Sequence, residues 1–83
     1  MNSQNYYVGK CPICGDYGML EILYNFKENI CSIMCDECLA EWNNPEDALK
    51  NVNGFRKSYK EAEARIATLE EIKEIGWEKY IIS

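Results

Sequence analysis

Residues 11–38 read CPICGDYGMLEILYNFKENICSIMCDEC and contain two Cys-x2-Cys pairs with twenty residues between them. Two residues between paired cysteines allow a tight turn in which both sulfurs face one ion, and Gly15 gives the first turn backbone freedom. Zn²⁺ prefers four ligands in a tetrahedron, with sulfur at about 2.3 Å. The spacing therefore predicts one structural zinc ion with four protein ligands: Cys11, Cys14, Cys35 and Cys38.

Other chemistries of paired cysteines remain open from the sequence. An iron–sulfur cluster or a single iron ion takes the same ligands. A thioredoxin-like redox pair is expected to open a helix, whereas Gly15 and a strand-like run follow Cys14. Disulfides are expected in secreted chains, but the polar start Met1–Gln4 is not typical of a signal segment. We therefore expect reduced thiols and a cytoplasmic location. No run approaches the about 20 apolar residues that span a bilayer, so no membrane partner is expected.

The fifth cysteine, Cys31, lies four residues before Cys35. One interpretation is a thiol that exchanges into the metal site or reacts by itself. The other is a small buried residue, on the same face as Ile33 if the strand is regular. We favour the buried residue, so the predicted ligand set excludes Cys31.

The sequence between the two cysteine pairs predicts a β-hairpin. Gly18–Tyr24 is rich in apolar and aromatic residues, 25–29 carries turn formers and charge, and 30–34 is a second short β-type run. Two strands joined by about five residues form a hairpin. Such a hairpin brings the two cysteine turns together at one end.

After the second pair the sequence changes to helical patterns. Asn44-Pro45-Glu46-Asp47 supplies a capping side chain, a proline at the first helical position and acids at the positive end of the helix dipole. We expect this helix to run to about Val52 and to stop at Asn53-Gly54.

Residues 55–75 permit two interpretations. Apolar residues at steps of three and four, from Phe55 to Ile72, are typical of one long amphipathic helix. Against this, Thr68-Leu69-Glu70-Glu71 is a capping box, which starts a new helix at Leu69. We favour the break at Thr68, with Gly76 closing that helix and Trp77–Ile82 finishing as an extended piece.

These elements predict one α+β domain over residues 1–83. Two cysteine knuckles and a β-hairpin occupy 9–40, and a helical segment over 44–83 packs on them. A chain this short buries only roughly 60–65% of the surface of its unfolded state, so its core is thin. Metal binding of about 10–16 kcal/mol can therefore decide whether the chain folds. Trp42 and Trp77 are expected in this core or over the metal, although tryptophans also anchor interfaces.

Nothing in the sequence predicts an enzyme. The chain has no histidine, which removes the commonest general base. Four cysteine ligands leave no open position on the metal for a water molecule. The acidic pairs Glu61/Glu63 and Glu70-Glu71 are expected on solvated helix faces or at a helix cap.

The charge balance favours a basic protein as the binding partner. The net charge is −5 and the isoelectric point is about 4.6, and a Zn²⁺ ion held by four thiolates takes the charge to about −7. Nucleic acids are bound by clustered positive charge, so no nucleic-acid partner is expected. Acidic charge also serves solubility alone, but it suits a basic partner. We expect the binding surface near the second knuckle and the first helix, at Asp36, Glu37, Glu41, Glu46 and Asp47.

The two cysteine runs resemble those of the zinc-ribbon superfamily over residues 9–40. The resemblance rests on Cys11-Pro12-Ile13-Cys14-Gly15, the hairpin and Met34-Cys35-Asp36-Glu37-Cys38. It implies a small zinc ribbon with two zinc knuckles and one structural zinc. It leaves the function open, because zinc ribbons serve in transcription factors, ribosomal proteins and enzyme appendages.

A narrower resemblance covers 35–42 (CDECLAEW), 67–72 (ATLEEI), Gly76-Trp77 and Tyr80. These segments are similar to small bacterial zinc-ribbon immunity proteins of polymorphic or contact-dependent toxin systems. Membership would imply a cytoplasmic antitoxin that binds one toxin domain and blocks its active site. The alternative is a zinc-ribbon accessory module in transcription or translation. A stand-alone thiol redox protein would instead need free Cys11 and Cys14 with a depressed pKa.

Overall fold

The computed structural model describes residues 6–55 and 64–82. Over these ranges an antiparallel sheet of five strands is combined with two short α-helices. This is an α+β arrangement, as the sequence predicts. The strands are β1 (Tyr7–Cys11), β2 (Gly15–Asn25), β3 (Ile30–Cys35), β4 (Glu41–Trp42) and β5 (Ala64–Ile66). The helices are α1 (Pro45–Lys50) and α2 (Leu69–Glu74), and a 3-10 turn follows at Glu78–Tyr80.

Strand β2 is the centre of the sheet. One of its edges pairs with β3 from Leu20↔Cys35 to Asn25↔Ile30. The other edge is shared end to end by β1, which pairs along the first half of β2, and by β5, which pairs along the last three residues. The two neighbours meet at Ile22, whose N–H donates to Tyr6 and whose carbonyl accepts from the N–H of Ala67. Parts of the chain far apart in sequence therefore complete the same strand edge.

The core lies on one face of this sheet. Paired positions on neighbouring strands place Ile22 opposite Ile33, and Ile33 opposite Trp42, and all three side chains are fully buried. Residues of the two helical regions cover them, among them Ala48, Ala67 and Ile72. Cys11 and Cys35 belong to the same cluster. The candidate metal ligands thus form one end of the core.

The predicted hairpin and the start of α1 are confirmed. The side chain of Asn44 accepts a hydrogen bond from the N–H of Asp47 at 2.8 Å, and Pro45 is the first helical residue. The helix ends at Lys50, two residues before the expected end. The reason is Asn51, which adopts the left-handed conformation (φ 56°) and directs its N–H back to the carbonyls of Asp47 and Ala48.

The prediction of a break at Thr68 is confirmed, and the single long helix is wrong. Thr68 accepts from the N–H of Glu71, and the Glu71 side chain accepts from the N–H of Thr68. Ahead of this capping box, Ala64–Ile66 is not helical but forms β5. The last part of β2 extends past β1 and leaves backbone groups that require a hydrogen-bond partner. Residues 56–63 of the expected long helix lie outside the described residues.

The C-terminal segment therefore differs from the expected helical segment with an extended end. It contributes a strand to the sheet, and residues 78–80 form a 3-10 turn where an extended chain was predicted. Gly76 closes α2 as expected, with φ 80°, and the N–H of Trp77 donates to Ile72. Within the described ranges, no helix is long and apolar enough to cross a membrane.

A charged pair fastens α2 to the sheet. The Arg65 guanidinium on β5 donates two hydrogen bonds to the Glu71 carboxylate, at 2.9 and 2.6 Å. The Arg65 guanidinium carbon also lies 4.9 Å from the centre of the Tyr24 ring on β2. Hydrogen bonds from Arg65, and to a lesser extent from the backbone of Thr68, lower the pKa of Glu71 to about 2. We call β5, the capping box and α2, residues 64–74, the C-terminal clasp.

Candidate metal centre

The four candidate ligands lie in two turns at the same end of the sheet. Cys11 and Cys14 flank the turn between β1 and β2, while Cys35 ends β3 and Cys38 lies in the turn before β4. The pairing of Leu20 with Cys35 sets the second turn beside the first. We call these two turns, residues 11–15 and 35–40, the knuckle end.

The sulfur positions match a tetrahedral metal site. The Sγ atoms of Cys14 and Cys35 are 3.5 Å apart and those of Cys11 and Cys38 are 3.7 Å apart. All four atoms lie within 4.8 Å of one another. A tetrahedron with metal–sulfur bonds of about 2.3 Å has edges of about 3.8 Å. The four cysteines are therefore positioned to coordinate one metal ion.

Backbone amides of the turns point at the sulfurs. The N–H of Ile13 donates to Cys11 Sγ at 3.4 Å, and the N–H of Glu37 donates to Cys35 Sγ at 3.3 Å. Cys35 Sγ also accepts from the N–H of Cys38, and Cys38 accepts from the amide of Ala40. Donors of this kind stabilise the negative charge of a thiolate. In both turns, the residue two positions after the first cysteine of the pair donates its N–H to the sulfur of that cysteine.

Two glycines shape the site for different reasons. Gly15 has φ 66°, a left-handed conformation that an L side chain disfavours, while the space around it is open. Gly18 is confined by contact, because a Cβ there would collide with Cys35 Sγ and lie 2.8 Å from Cys14 Sγ. Sequence reasoning identified Gly15 and missed Gly18. The available signal was a glycine inside a strand, which marks a close approach of other atoms to the backbone.

Burial and the neighbouring thiols move the pKa values of these cysteines in different directions. Burial, followed by hydrogen bonds from the other cysteines, raises the pKa of Cys14 to about 12. Burial also raises the pKa of Cys35. Burial acts in the same direction on Cys38, but the amide of Ala40 and the neighbouring thiols outweigh it and lower its pKa to about 7. A cation bound between four thiolates would offset the cost of burying their negative charge, as expected of a four-thiolate donor set.

Cys31 does not join this group. It lies on β3 opposite Tyr24, about 13 Å along the strand from Cys35 by strand geometry. The side chain is half-buried and packs against the core. Burial raises its pKa to about 11, with Glu71 raising it further and Arg65 opposing. These properties agree with the interpretation of Cys31 as a packed residue.

The five acidic residues expected at a binding surface do not share one exposed face. Glu41 is only 2% exposed, although it points to the opposite side of the sheet from its core-facing neighbour Trp42. Its backbone is flanked by Met34 on β3 and by Phe55, which exchanges two hydrogen bonds with it. Glu41 is therefore removed from the candidate surface. Asp36 and Glu37 are exposed on the second knuckle. Glu46 and Asp47 lie in the first turn of α1, exposed and half-buried respectively.

Three of the remaining acids already make hydrogen bonds. Asp36 Oδ1 accepts from the N–H of Met19 at 3.0 Å and ties the second knuckle to β2. Glu46 accepts from the hydroxyl of Tyr80 at 3.1 Å. Asp47 Oδ2 accepts from the side chain of Asn53. Glu37 and Glu46 are the exposed acids whose change would disturb the knuckle turn least.

The tryptophans lie in or against the core, as preferred from the sequence. Trp42 is fully buried, and the backbone of Gly54 lies close against its indole ring. Within residues 6–55 and 64–82, Trp42 Nε1 has no hydrogen-bond partner. Trp77 is half-buried and packs on the same cluster. Gly54 thus brings the loop after α1 into contact with the middle of the core.

Comparisons with protein-family models, with curated proteins and with solved structures found no match. The metal centre therefore rests on the spacing and geometry of four cysteines in this chain. These residues are also the basis for inferring the metal, the fold family and the partner.

Proposed function

We propose that this chain is a four-cysteine zinc ribbon that acts by binding a basic protein. Specifically, we propose a cytoplasmic immunity protein that neutralises a bacterial toxin domain by binding it. The observation that carries the proposal is the closed group of four sulfurs, from Cys11, Cys14, Cys35 and Cys38. A metal held this way stabilises a surface and leaves no coordination position for chemistry.

Zinc is the metal that this donor set supports best. Four thiolates arranged in two turns with amide donors form a closed structural site, and zinc occupies such sites in tetrahedral geometry. Elemental analysis of the purified protein is expected to give one zinc per chain. One iron per chain with visible absorbance would contradict the zinc assignment, since iron takes the same ligands.

A non-enzymatic role follows from what the site supplies. The sequence has no histidine, and the four sulfurs would fill the coordination sphere of a tetrahedral ion. Bound metal would therefore serve folding, and the activity would lie in the surface that the metal holds in place. Binding of another macromolecule is the function that such a surface supports.

Charge supports a basic protein as that macromolecule. The net charge of −5 falls to about −7 with zinc bound, and Asp36, Glu37 and Glu46 are exposed. Complementary charge speeds encounter and selects partners. Many toxin domains are nucleases with basic clefts, so an acidic protein is suited to block them. The choice of a toxin domain as the partner rests on the resemblance noted in the sequence at 35–42 and 67–72, among other segments.

Growth rescue tests the proposal. The chain is co-expressed in bacteria with each of a panel of basic nuclease toxin domains, and binding of each domain is measured with purified proteins. We expect one domain to be both bound and neutralised. The double variant Glu37→Lys/Glu46→Lys should weaken binding and rescue, while Glu70→Lys/Glu74→Lys, the same charge change on α2, should not.

The opposite results are equally informative. Absence of binding and rescue across the panel would contradict the immunity function. A salt-dependent shift of RNA or DNA in a gel would instead favour the accessory role in transcription or translation.

A further inference from the structure

A small apolar cavity lies beside the metal centre. It measures about 220 Å³ and is lined by residues from both knuckle turns and from the loop after α1: Ile13, Ala40, Asn51, Gly54 and Phe55. We call this cavity the knuckle groove. Its volume is below the about 300–1,000 Å³ of small-molecule pockets, and is suited to one inserted side chain.

Fixed elements form the groove. Ile13 lies between two candidate metal ligands, and its amide donates to Cys11 Sγ. Ala40 is buried directly before β4, and Gly54 rests against the fully buried ring of Trp42. A cavity whose walls are held by a metal and by the core is pre-formed, which lowers the cost of binding.

Exposed apolar side chains lie in the lining of the groove or next to lining residues in the chain. Ile13 is 48% exposed, and Leu39 and Val52, the chain neighbours of Ala40 and Asn51, are 56% and 43% exposed. Leu39 also has φ 64°, a left-handed conformation that only glycine adopts without strain and that asparagine tolerates better than leucine. A leucine here is strained and leaves most of its side chain in water. Folding alone does not explain this choice of residue.

The charge around the groove indicates what it contacts. Asp36 and Glu37 are exposed on the same turn as Leu39, while Lys50, in the last turn of α1, is an exposed cation that precedes Asn51. A second copy of this chain carries the same net charge of −5, which opposes its approach, whereas the exposed acids of this turn complement a basic surface. An apolar groove bordered by charged residues matches the usual anatomy of a protein interface, in which an apolar anchor is surrounded by a polar rim.

We infer that the knuckle groove is the docking site for the basic protein partner. The groove takes one aliphatic or aromatic side chain of the partner, and Asp36 and Glu37 meet cationic residues beside it. This inference rests on the proposed function and specifies where on the surface it operates.

Selection from a random displayed peptide library on the zinc-loaded protein tests the inference. We expect enriched peptides to combine Lys or Arg with at least one large apolar residue. The tightest peptide is then synthesised, and its dissociation constant is measured for the wild type and for four variants. Leu39→Asn and Ile13→Ser should weaken binding at least about 10-fold. Ile30→Ser, at a position equally exposed at 48% on β3, and Ile75→Asn, at 43%, should leave it unchanged.

Melting temperature and zinc content separate docking from folding. Leu39→Asn should melt at or above the wild-type temperature, because asparagine suits the left-handed conformation, and yet bind less peptide. All four variants should keep one zinc per chain. If Ile13→Ser binds less peptide but also loses zinc, Leu39→Asn becomes the deciding variant. Unchanged peptide binding in Leu39→Asn would overturn the inference.

Three outcomes distinguish a failure of the knuckle-groove inference from a failure of the proposed function on which it rests. Basic peptides that bind all variants equally would overturn the knuckle groove alone. Enriched peptides without basic residues, or no enrichment, would overturn the basic partner and with it the groove. A wild-type dimer in sedimentation velocity that becomes monomeric in Leu39→Asn would show that a second copy is the occupant.

Discussion

The knuckle end and the C-terminal clasp both close against β2, and they do so by different means. The knuckle end brings four sulfurs together and leaves Ile13 and Leu39 about half exposed to water. The clasp buries Ala67 and Ile72 and adds a capping box with a charged pair. One region is therefore arranged around a group of candidate metal ligands, and the other is stabilised by packing. A region whose fold depended on a bound metal would be free to leave an apolar side chain such as Leu39 in water, whereas the clasp has to bury Ile72.

Removing the metal should produce the largest effect, and it acts on the knuckle end. Structural zinc binding in small domains is worth about 10–16 kcal/mol, more than a thin core supplies. We expect chelation to unfold the domain and to abolish partner binding together, as followed by circular dichroism and a binding assay.

Single substitutions supply the control for chelation. Cys35→Ser should reproduce the unfolding, whereas Cys31→Ser should keep one zinc per chain and a native spectrum. Full partner affinity in a metal-free variant without the four ligands would contradict the proposed role of the metal.

Shortening a buried side chain of the clasp should have the next largest effect. Ile72 is fully buried, so Ile72→Ala should destabilise the zinc-loaded protein by about 2–5 kcal/mol through lost burial and a cavity. Urea unfolding measures this cost. The exposed Ile75 provides a matched control, since Ile75→Ala should change stability by less than about 0.5 kcal/mol.

Crowding the metal site should weaken metal binding while leaving the clasp unchanged. A Cβ at position 18 lies too close to Cys14 and Cys35 sulfurs, so Gly18→Ala should weaken zinc binding about 100-fold, or about 2.7 kcal/mol. Competition with a chromophoric chelator measures the affinity. Gly15→Ala has open space around it and should cost only about 1–2 kcal/mol of backbone strain. Equal affinities for the two variants would show that contact at Gly18 is unimportant.

The charged pair of the clasp should give the smallest effect. The pKa of Glu71 is lowered from 4.5 to about 2, chiefly by Arg65. A lowered carboxyl pKa stabilises the fold above the ordinary value, and this stabilisation is lost as the pH falls toward 2. Because Arg65 and Glu71 are partly exposed, Glu71→Gln should cost no more than about 1 kcal/mol.

The pH dependence of that cost checks its origin. Urea unfolding of wild type and Glu71→Gln should give the same difference at pH 7 and pH 5, since Glu71 stays ionised at both. A difference that had already disappeared at pH 5 would contradict the lowered pKa.

Local signals allowed much of the molecule to be predicted from the sequence. The two cysteine turns, the hairpin, the Asn44 cap and the Thr68 capping box each depend on residues within a few positions of one another. Strand β5 has no such signal, because Ala-Arg-Ile becomes a strand only where β2 offers an unpaired edge. The burial of Glu41 and the contact at Gly18 were missed for the same reason, since both depend on residues distant in sequence.

The shared edge of β2 has a consequence for the order in which the protein takes shape during synthesis. All four candidate metal ligands precede β5 and α2 in the chain, so they leave the ribosome before those two elements do. The nascent chain can therefore close its knuckle end around an ion while the last residues of β2 still present an open strand edge. Such an edge invites pairing with other chains, so the arrival of residues 64–66 should end the interval in which the nascent protein is exposed to aggregation.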